Sequence, residues 1–487
     1  MKEFFSILRK VGALAVALLI VLPTIAGAQG VIPTTTKSNE ARKIFLDGLW
    51  MTDNFRYDEA RELFAKAIEK DPGFALAHLY RSFTGTSAMD SQKHLKSAVA
   101  LAPKVSEGER LMIEAVHAGA ENNPVKAVQL WEQLAQKFPK DKHALLYLAY
   151  AYSGRDQDDN AIAEFEKAIA IDKNFAPAYN SLGYAYREKG EYAKAEEAFK
   201  NYIRLLPKEA NPYDSLADLY TKMGRHEEAI TNYKKAVELN PKFGFSQRKI
   251  GDNLIFLGKY EAAREAYRKA VEMETTPSGK LSDMASIASS YVYEGKHQQA
   301  IMECEKNLQM ATKEGLPEWQ ARTHSTNCDI YIETGKFDKA EQSLTECRKV
   351  VMASQLSPAV KENFVKQALF DEAVIAAKRK DFTKAMTKAD EYKAKILAGK
   401  DPKEMETHHA LVGRIHFEKG DFGKAVEHLK QANQENPYTL YLLAFATSET
   451  GDMTKAAELY KKVANWNESS LNYAFVRFKA MTALEAN

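Results

Sequence analysis

The chain has little of what usually marks a catalytic or membrane-embedded protein. Among 487 residues there are three cysteines, too few for a disulfide framework. Net charge is scarce too, since 68 Lys plus Arg stand against 66 Asp plus Glu. The first 28 residues hold three of those bases and one of the acids, which leaves 65 of each in the rest. A neutral balance exerts no bulk pull on polyanions, so no nucleic-acid partner is expected. The apolar run near the start, Val11 to Leu22, falls short of the roughly 20 residues that span a bilayer. Strand-like alternation, a Gly-rich phosphate loop and a His-Glu-x-x-His motif are all missing.

What remains of chemistry-bearing residues is thin. His408, His409 and His416 share one helical stretch, and the last two lie on one face. They are two turns apart, too far to share one metal ion, and are read as stripe residues of a helix pair. The acid pairs Glu196-Glu197 and Glu227-Glu228 read as solvated helix surface. The sequence therefore predicts no catalytic residues, no metal site and no cofactor, and the chain is not expected to be an enzyme. Cys304, Cys328 and Cys347 fall in two neighbouring helix pairs. They are either buried thiols serving as small apolar residues or include one disulfide, Cys328 with Cys304 or with Cys347.

What is present in abundance is repetition. From Ala176 to Phe243 one 34-residue pattern occurs twice without insertion. The first copy has Tyr179, Leu182, Gly183, Tyr186, Gly190, Ala195, Phe199 and Pro207; the second has Tyr213, Leu216, Ala217, Tyr220, Gly224, Ala229, Tyr233 and Pro241 at the same offsets. Each copy is two apolar stripes at helical spacing around a Gly-centred break, which is a helical hairpin. Gly183 and Ala195 are small where the two helices come closest, with large aromatics on either side. Pro207 stops the second helix, because a residue before proline is pushed out of helical geometry.

The pattern resembles the tetratricopeptide repeat family, whose units carry an aromatic, Leu-Gly, Tyr, then Ala, Phe and Pro at these spacings. The resemblance implies an all-α, right-handed α-solenoid of antiparallel hairpins, about 11 repeats long. Such hairpins must stack, because each leaves one stripe uncovered. The expected division is a signal at 1–28, a linker at 29–39, an N-terminal part of the array at 40–275 with the 34-residue units clearest at 142–275, longer and degenerate hairpins at 276–466, and a capping helix at 467–487. Lys2, Arg9 and Lys10, the apolar run and Ala26-Gly27-Ala28 predict a secretory signal cut after Ala28. The protein is then exported, periplasmic or secreted, and would meet a membrane only through an uncut signal.

Members of this family bind proteins or peptides, so the expected role is a non-catalytic scaffold of the bacterial cell envelope. The alternatives are an accessory subunit that positions substrate for an envelope enzyme or transport system, and a sensor arm of a membrane signalling protein if the signal is retained. The resemblance places the binding surface on first helices beside the packing stripe: Asn180, Tyr184 and Arg187, then Asp214, Asp218 and Lys222, then Arg248 and Asp252. Where relatives grip a terminal carboxylate with a Lys and Asn set, Asp214, Asp218 and Asp252 intrude. The expected partner is therefore a basic or polar internal segment.

Overall fold

The structure, a computed structural model, describes residues 30–121, 123–399 and 404–486, so the expected signal lies outside the described residues. Two compact units divide the chain, one ending at Pro207 and the other beginning at Lys208. Among the described residues there are 25 α-helices and one 3-10 turn at Ala102–Lys104. The first unit holds five hairpins. These are α1 (Asn39–Asp53) with α2 (Tyr57–Lys70), α3 (Ala75–Phe83) with α4 (Ala88–Leu101), α5 (Glu107–Ala120) with α6 (Pro124–Lys137), α7 (Lys142–Ser153) with α8 (Asp158–Ile171), and α9 (Ala176–Glu188) with α10 (Tyr192–Leu205).

The second unit continues with two more of the same length, α11 (Ala210–Lys222) with α12 (His226–Leu239) and α13 (Gly244–Phe256) with α14 (Tyr260–Met273). Longer pairs follow: α15 (Pro277–Tyr293) with α16 (His297–Lys313), α17 (Pro317–Glu333) with α18 (Phe337–Ala353), and α19 (Pro358–Lys378) with α20 (Phe382–Gly399). The last are α21 (Glu404–Lys419) with α22 (Phe422–Leu429), α23 (Pro437–Glu449) with α24 (Met453–Ala464), and a single helix, α25 (Leu471–Glu485). The all-helical hairpin architecture expected from the repeats is thus present, with twelve hairpins against about eleven read from the sequence.

The small-against-large packing is visible at atomic scale. A Cβ placed on Gly183 would come within 2.6 Å of the Phe199 ring, and one on Gly48 within 2.6 Å of Phe64. Ala195 is fully buried beside this contact. Glu196, expected to point outward, is instead half-buried and pairs with Lys200 at 2.7 Å. Gly190 takes φ +74°, and the amides of Gly190 and Glu191 donate to Arg187 O and Tyr186 O at 3.0 and 2.9 Å, which ends α9 and reverses the chain. The α19–α20 hairpin lacks this glycine. Lys380 adopts the same left-handed conformation there, φ 65°, and the amides of Lys380 and Asp381 donate to Ala377 O and Ala376 O, at a cost of about 1 kcal/mol for a side chain in that region.

Three boundaries differ from the sequence reading. The segment expected as a plain linker is bonded along the first unit. Ile32 N donates to Asp141 Oδ2 at 3.0 Å, Thr35 N to Glu109 Oε1 at 2.7 Å and Lys37 N to Asp71 Oδ2 at 2.9 Å. Within the stretch expected only as longer, degenerate hairpins, the break before α19 is confined to residues 354–357, because Ser357 caps α19 through Val360 N and the helix then runs 21 residues. The helix expected to cap the final repeat does cover α24, but it also reaches back to earlier hairpins. Tyr293 Oη donates to Ser470 O at 3.0 Å, and Arg477 Nη2 to Phe256 O at 2.9 Å. The second unit therefore closes on itself through α25.

Candidate functional site

The expected binding row is only partly a surface. On α9, Asn180, Tyr184 and Arg187 are half-buried. The Tyr184 ring meets Phe199 edge-on at 5.1 Å, and the Arg187 guanidinium lies 4.8 Å over Tyr184. On α11 and α13, Asp214 and Asp252 are only 7% and 8% exposed. This corrects the reading that packing does not require them. Asp214 accepts a hydrogen bond from Ser246 Oγ, and Asp252 accepts one from Tyr267 Oη at 2.8 Å. Asp218, half-buried, accepts from Tyr233 Oη. Burial raises the pKa of Asp214 to about 7 and that of Asp252 upward. Lys222 is exposed, while Arg248 donates to Ser282 Oγ at 3.1 Å and lies 3.7 Å from the Asp283 carboxylate.

These acids follow a rule of register. Tyr184, Asp218 and Asp252 each stand fifteen residues before the ring that fills the hairpin, Phe199, Tyr233 and Tyr267. Opposite Phe199 the partner is aromatic. Opposite Tyr233 and Tyr267 it is an Asp that accepts the buried hydroxyl, as a buried donor requires. The intruding aspartates thus serve the core.

Asp329 on α17 occupies the same register, six residues before its turn glycine Gly335 just as Asp218 precedes Gly224. Its ring position holds Leu344, which has no hydroxyl to offer. Asp329 instead lines a cavity of about 340 Å³ enclosed by the first helices α17, α19, α21 and α23 together with α25. One wall of this chamber is a closed network. Tyr438 Oη donates to Glu333 Oε1 at 2.6 Å, and Arg414 Nη2 donates to the same oxygen and to Tyr438 Oη, each at 3.0 Å. Lys479 of α25 lies 3.5 Å from Glu333 Oε2 and Lys378 4.0 Å from Oε1. Burial alone would raise the Glu333 pKa, but Arg414 and Lys378 hold it below the usual carboxylate range.

The opposite wall is not closed. Asp371 is 2% exposed; Gln367 Nε2 donates to its Oδ1 at 2.9 Å, but its Oδ2 has no donor among the described residues. Neither Asp329 nor Asp371 forms an ion pair among the described residues. Burial pushes the Asp329 pKa up to about 7; burial, then the charge of Asp329, raises that of Asp371. A second, more open groove of about 450 Å³ runs between α17 and α19 past Arg322 and Asn363, and shares Ser325, Asp329 and Gln367 with the chamber. None of these residues was singled out by sequence, although the acid pair Asp371-Glu372 inside the apolar run Ala368 to Ala377 was a legible signal.

The other expected candidates are placed as follows. Cys304, Cys328 and Cys347 are free and buried, and burial raises all three thiols, Cys304 to about 12. His409 and His416 gather around His428, with His409 Nδ1 and His428 Nδ1 3.1 Å apart. No cluster of three metal-ligating side chains occurs among the described residues, nor is any described helix long and apolar enough to cross a membrane.

Comparison with known proteins agrees with the hairpin geometry. Residues 114–176, 175–242 and 208–275 match family models of the tetratricopeptide repeat. Residues 114–275 are thus tetratricopeptide repeats. Similar solved structures include MamA, 26% identical over 34% of this chain and 91% of its own, with a TM-score of 0.31. TTC0263, a thermophilic repeat protein of Thermus thermophilus, is 21% identical over 44% of this chain and 98% of its own, TM-score 0.29. YrrB, described as having an unusual peptide-binding site, is 20% identical over 38% of this chain and 94% of its own, TM-score 0.30.

Proposed function

We propose that the protein is a non-catalytic scaffold of the bacterial cell envelope that holds a peptide segment of a partner protein against first helices of its second unit. The observation that carries this reading is the chamber. Folding leaves few buried polar groups without a partner, yet Asp329 and Asp371 face a cavity that shares Ser325, Asp329 and Gln367 with an open groove of about 450 Å³. Tetratricopeptide repeats commonly present such inner surfaces to peptides. Export is the reading of the first 28 residues, and it makes the envelope the compartment in which to look for the partner.

The test is capture from envelope extract by the full chain and by Ser325→Trp, which fills the shared mouth of chamber and groove. A partner recovered by the first and not by the second supports the reading; equal recovery moves the site elsewhere. Mass analysis of the mature N-terminus decides between cleavage after Ala28 and a retained anchor.

A further inference from the structure

We propose that the chamber between α17, α19 and α21 is a site for a slender organic cation, an ammonium or guanidinium on an aliphatic stem, presented free or as a Lys or Arg side chain. The proposal deepens the scaffold reading and rests on its placement of the site. Its first support is the distribution of charge around the cavity. Glu333 is matched by Arg414, Tyr438, Lys378 and Lys479, so Arg414 is committed to that wall. Asp329 and Asp371 face the same space with no ion pair among the described residues, and only the charge of Arg414, already bonded to Glu333, reaches them. An anionic ligand would oppose the ionisation of both carboxyls, and a neutral one would offer no charge to match it.

The second support is the orphaned oxygen. Asp371 Oδ2 is buried with no donor among the described residues, and leaving such a group unmet is costly in a dry interior. A charged N–H donor is the group that satisfies it best, because hydrogen bonds between ionised partners are the strong ones. Third, the size is that of a small ligand, at about 340 Å³, within the range of ligand pockets. The mouth shared through Ser325, Asp329 and Gln367 gives a stem a path to solvent. A bare metal ion is not favoured, since no cluster of three His, Cys, Asp or Glu ligands forms among the described residues.

A linked proton supplies an independent readout. The groups facing Asp371 are Asp329, Glu372, Arg414, the Gln367 amide and the thiols of Cys328 and Cys347, and those facing Asp329 are Arg414, Glu333, Asp371 and Cys328. Burial disfavours the ionised forms of Asp329 and Asp371, so a cation that draws them into ionisation releases a proton.

The experiment is titration calorimetry on the full chain with n-butylamine and the peptide amide Gly-Gly-Lys-Gly-Gly, against n-butanol and Gly-Gly-Gln-Gly-Gly as neutral counterparts. One-to-one binding of a cationic probe, at least roughly tenfold tighter than its counterpart, with a heat that varies with the ionisation enthalpy of the buffer, is the expected result. A preference for the peptide identifies a side chain as the source, and equal binding identifies a free amine. Asp371→Asn and Asp329→Asn should each abolish the preference while the helical signal is retained. Ser325→Trp, which keeps both carboxylates, should block entry. Cationic and neutral probes binding alike, or a preference that survives both Asn variants, overturns the assignment. If partner capture depends on Ser325 while no cation binds, the scaffold reading stands and this one falls. Cation binding with no partner recovered has the opposite meaning.

Discussion

The short hairpins α11 to α14 and the long hairpins α15 to α20 solve the same packing problem with different attention to polar groups. In the short pairs each helix has 13 or 14 residues, and the acids at the inner register meet a hydroxyl, Asp218 with Tyr233 and Asp252 with Tyr267. Side chains between neighbouring hairpins are matched as well. Thr221 Oγ1 donates to Asn253 Oδ1 at 3.1 Å, and that oxygen lies 2.9 Å from His226 Nδ1. In α15 to α18 each helix has 17 residues, the ring position of α18 is Leu344, and Asp329 turns to a cavity instead. Regular repeats spend their polar groups on one another, and the irregular ones keep some in reserve. A binding site is therefore better sought where a repeat departs from its pattern than where it keeps it.

The largest effect expected from this comparison is at Glu333, where the reserve wall is closed. Glu333→Ala leaves Arg414 largely buried without its carboxylate, which should cost roughly 3–5 kcal/mol in urea unfolding. A midpoint within error of wild type would show that the network is not integral to the second unit. Ala195→Arg should cost about 3 kcal/mol or more, because a long charged side chain would be forced into a fully buried site beside the Phe199 contact. The exposed neighbour Glu197→Arg should stay near wild type. Equal melts for these two would refute the hairpin register.

A smaller effect sharpens the pairing rule. Tyr267→Phe removes the donor from the buried Asp252 and should cost roughly 1–3 kcal/mol, whereas Tyr267→Phe combined with Asp252→Ala should cost less than the two single changes added. Additive losses in a double-mutant cycle would mean that the two side chains are not a pair.

The smallest effect is graded by pH. His408 is 6% exposed, neither ring nitrogen has a partner among the described residues, and burial pulls its pKa down to about 4. A folded pKa below the ordinary 6.5 means that the unfolded chain takes the proton first. The neutral ring's contribution is then whole above pH 6.5 and is lost as pH falls toward 4. Asp214 and Asp329, with raised folded pKa values, push in the opposite direction between about 4 and 7, so the comparison must be with a variant. His408→Leu should gain on wild type between pH 6.5 and 4.5, by up to about 1.4 kcal/mol per pH unit. A constant difference across that range would mean that His408 does not titrate with unfolding.

The hairpins were legible because their causes are local. Gly183 against Phe199, the break at Gly190 and the stop before Pro207 all act within one 34-residue unit. The strap from Ile32 to Lys37 has the sequence of a linker because its acceptors, Asp71, Glu109 and Asp141, lie 34 to 109 residues away. Asp214 and Asp252 read as surface in the sequence because first-helix positions beside the stripe can face solvent. Whether they do depends on the residue opposite, which for Asp252 is Tyr267. The Asp–Tyr spacing was in the sequence, and so was its failure at Asp329 and Leu344.

The sequence by itself determined that this chain is a row of helical hairpins, where most of them begin and end, and which side chains fill the space inside each. Helix periodicity, glycine at left-handed turns and small-against-large pairing are nearest-neighbour effects, and nearest neighbours are written consecutively. Only the tertiary structure decided that α25 returns to α13 and α15, that α17, α19, α21 and α23 enclose one chamber, and that Asp371 Oδ2 stands within it with no donor among the described residues. Those outcomes depend on small rotations between successive hairpins that accumulate over the second unit, and no single repeat records their sum.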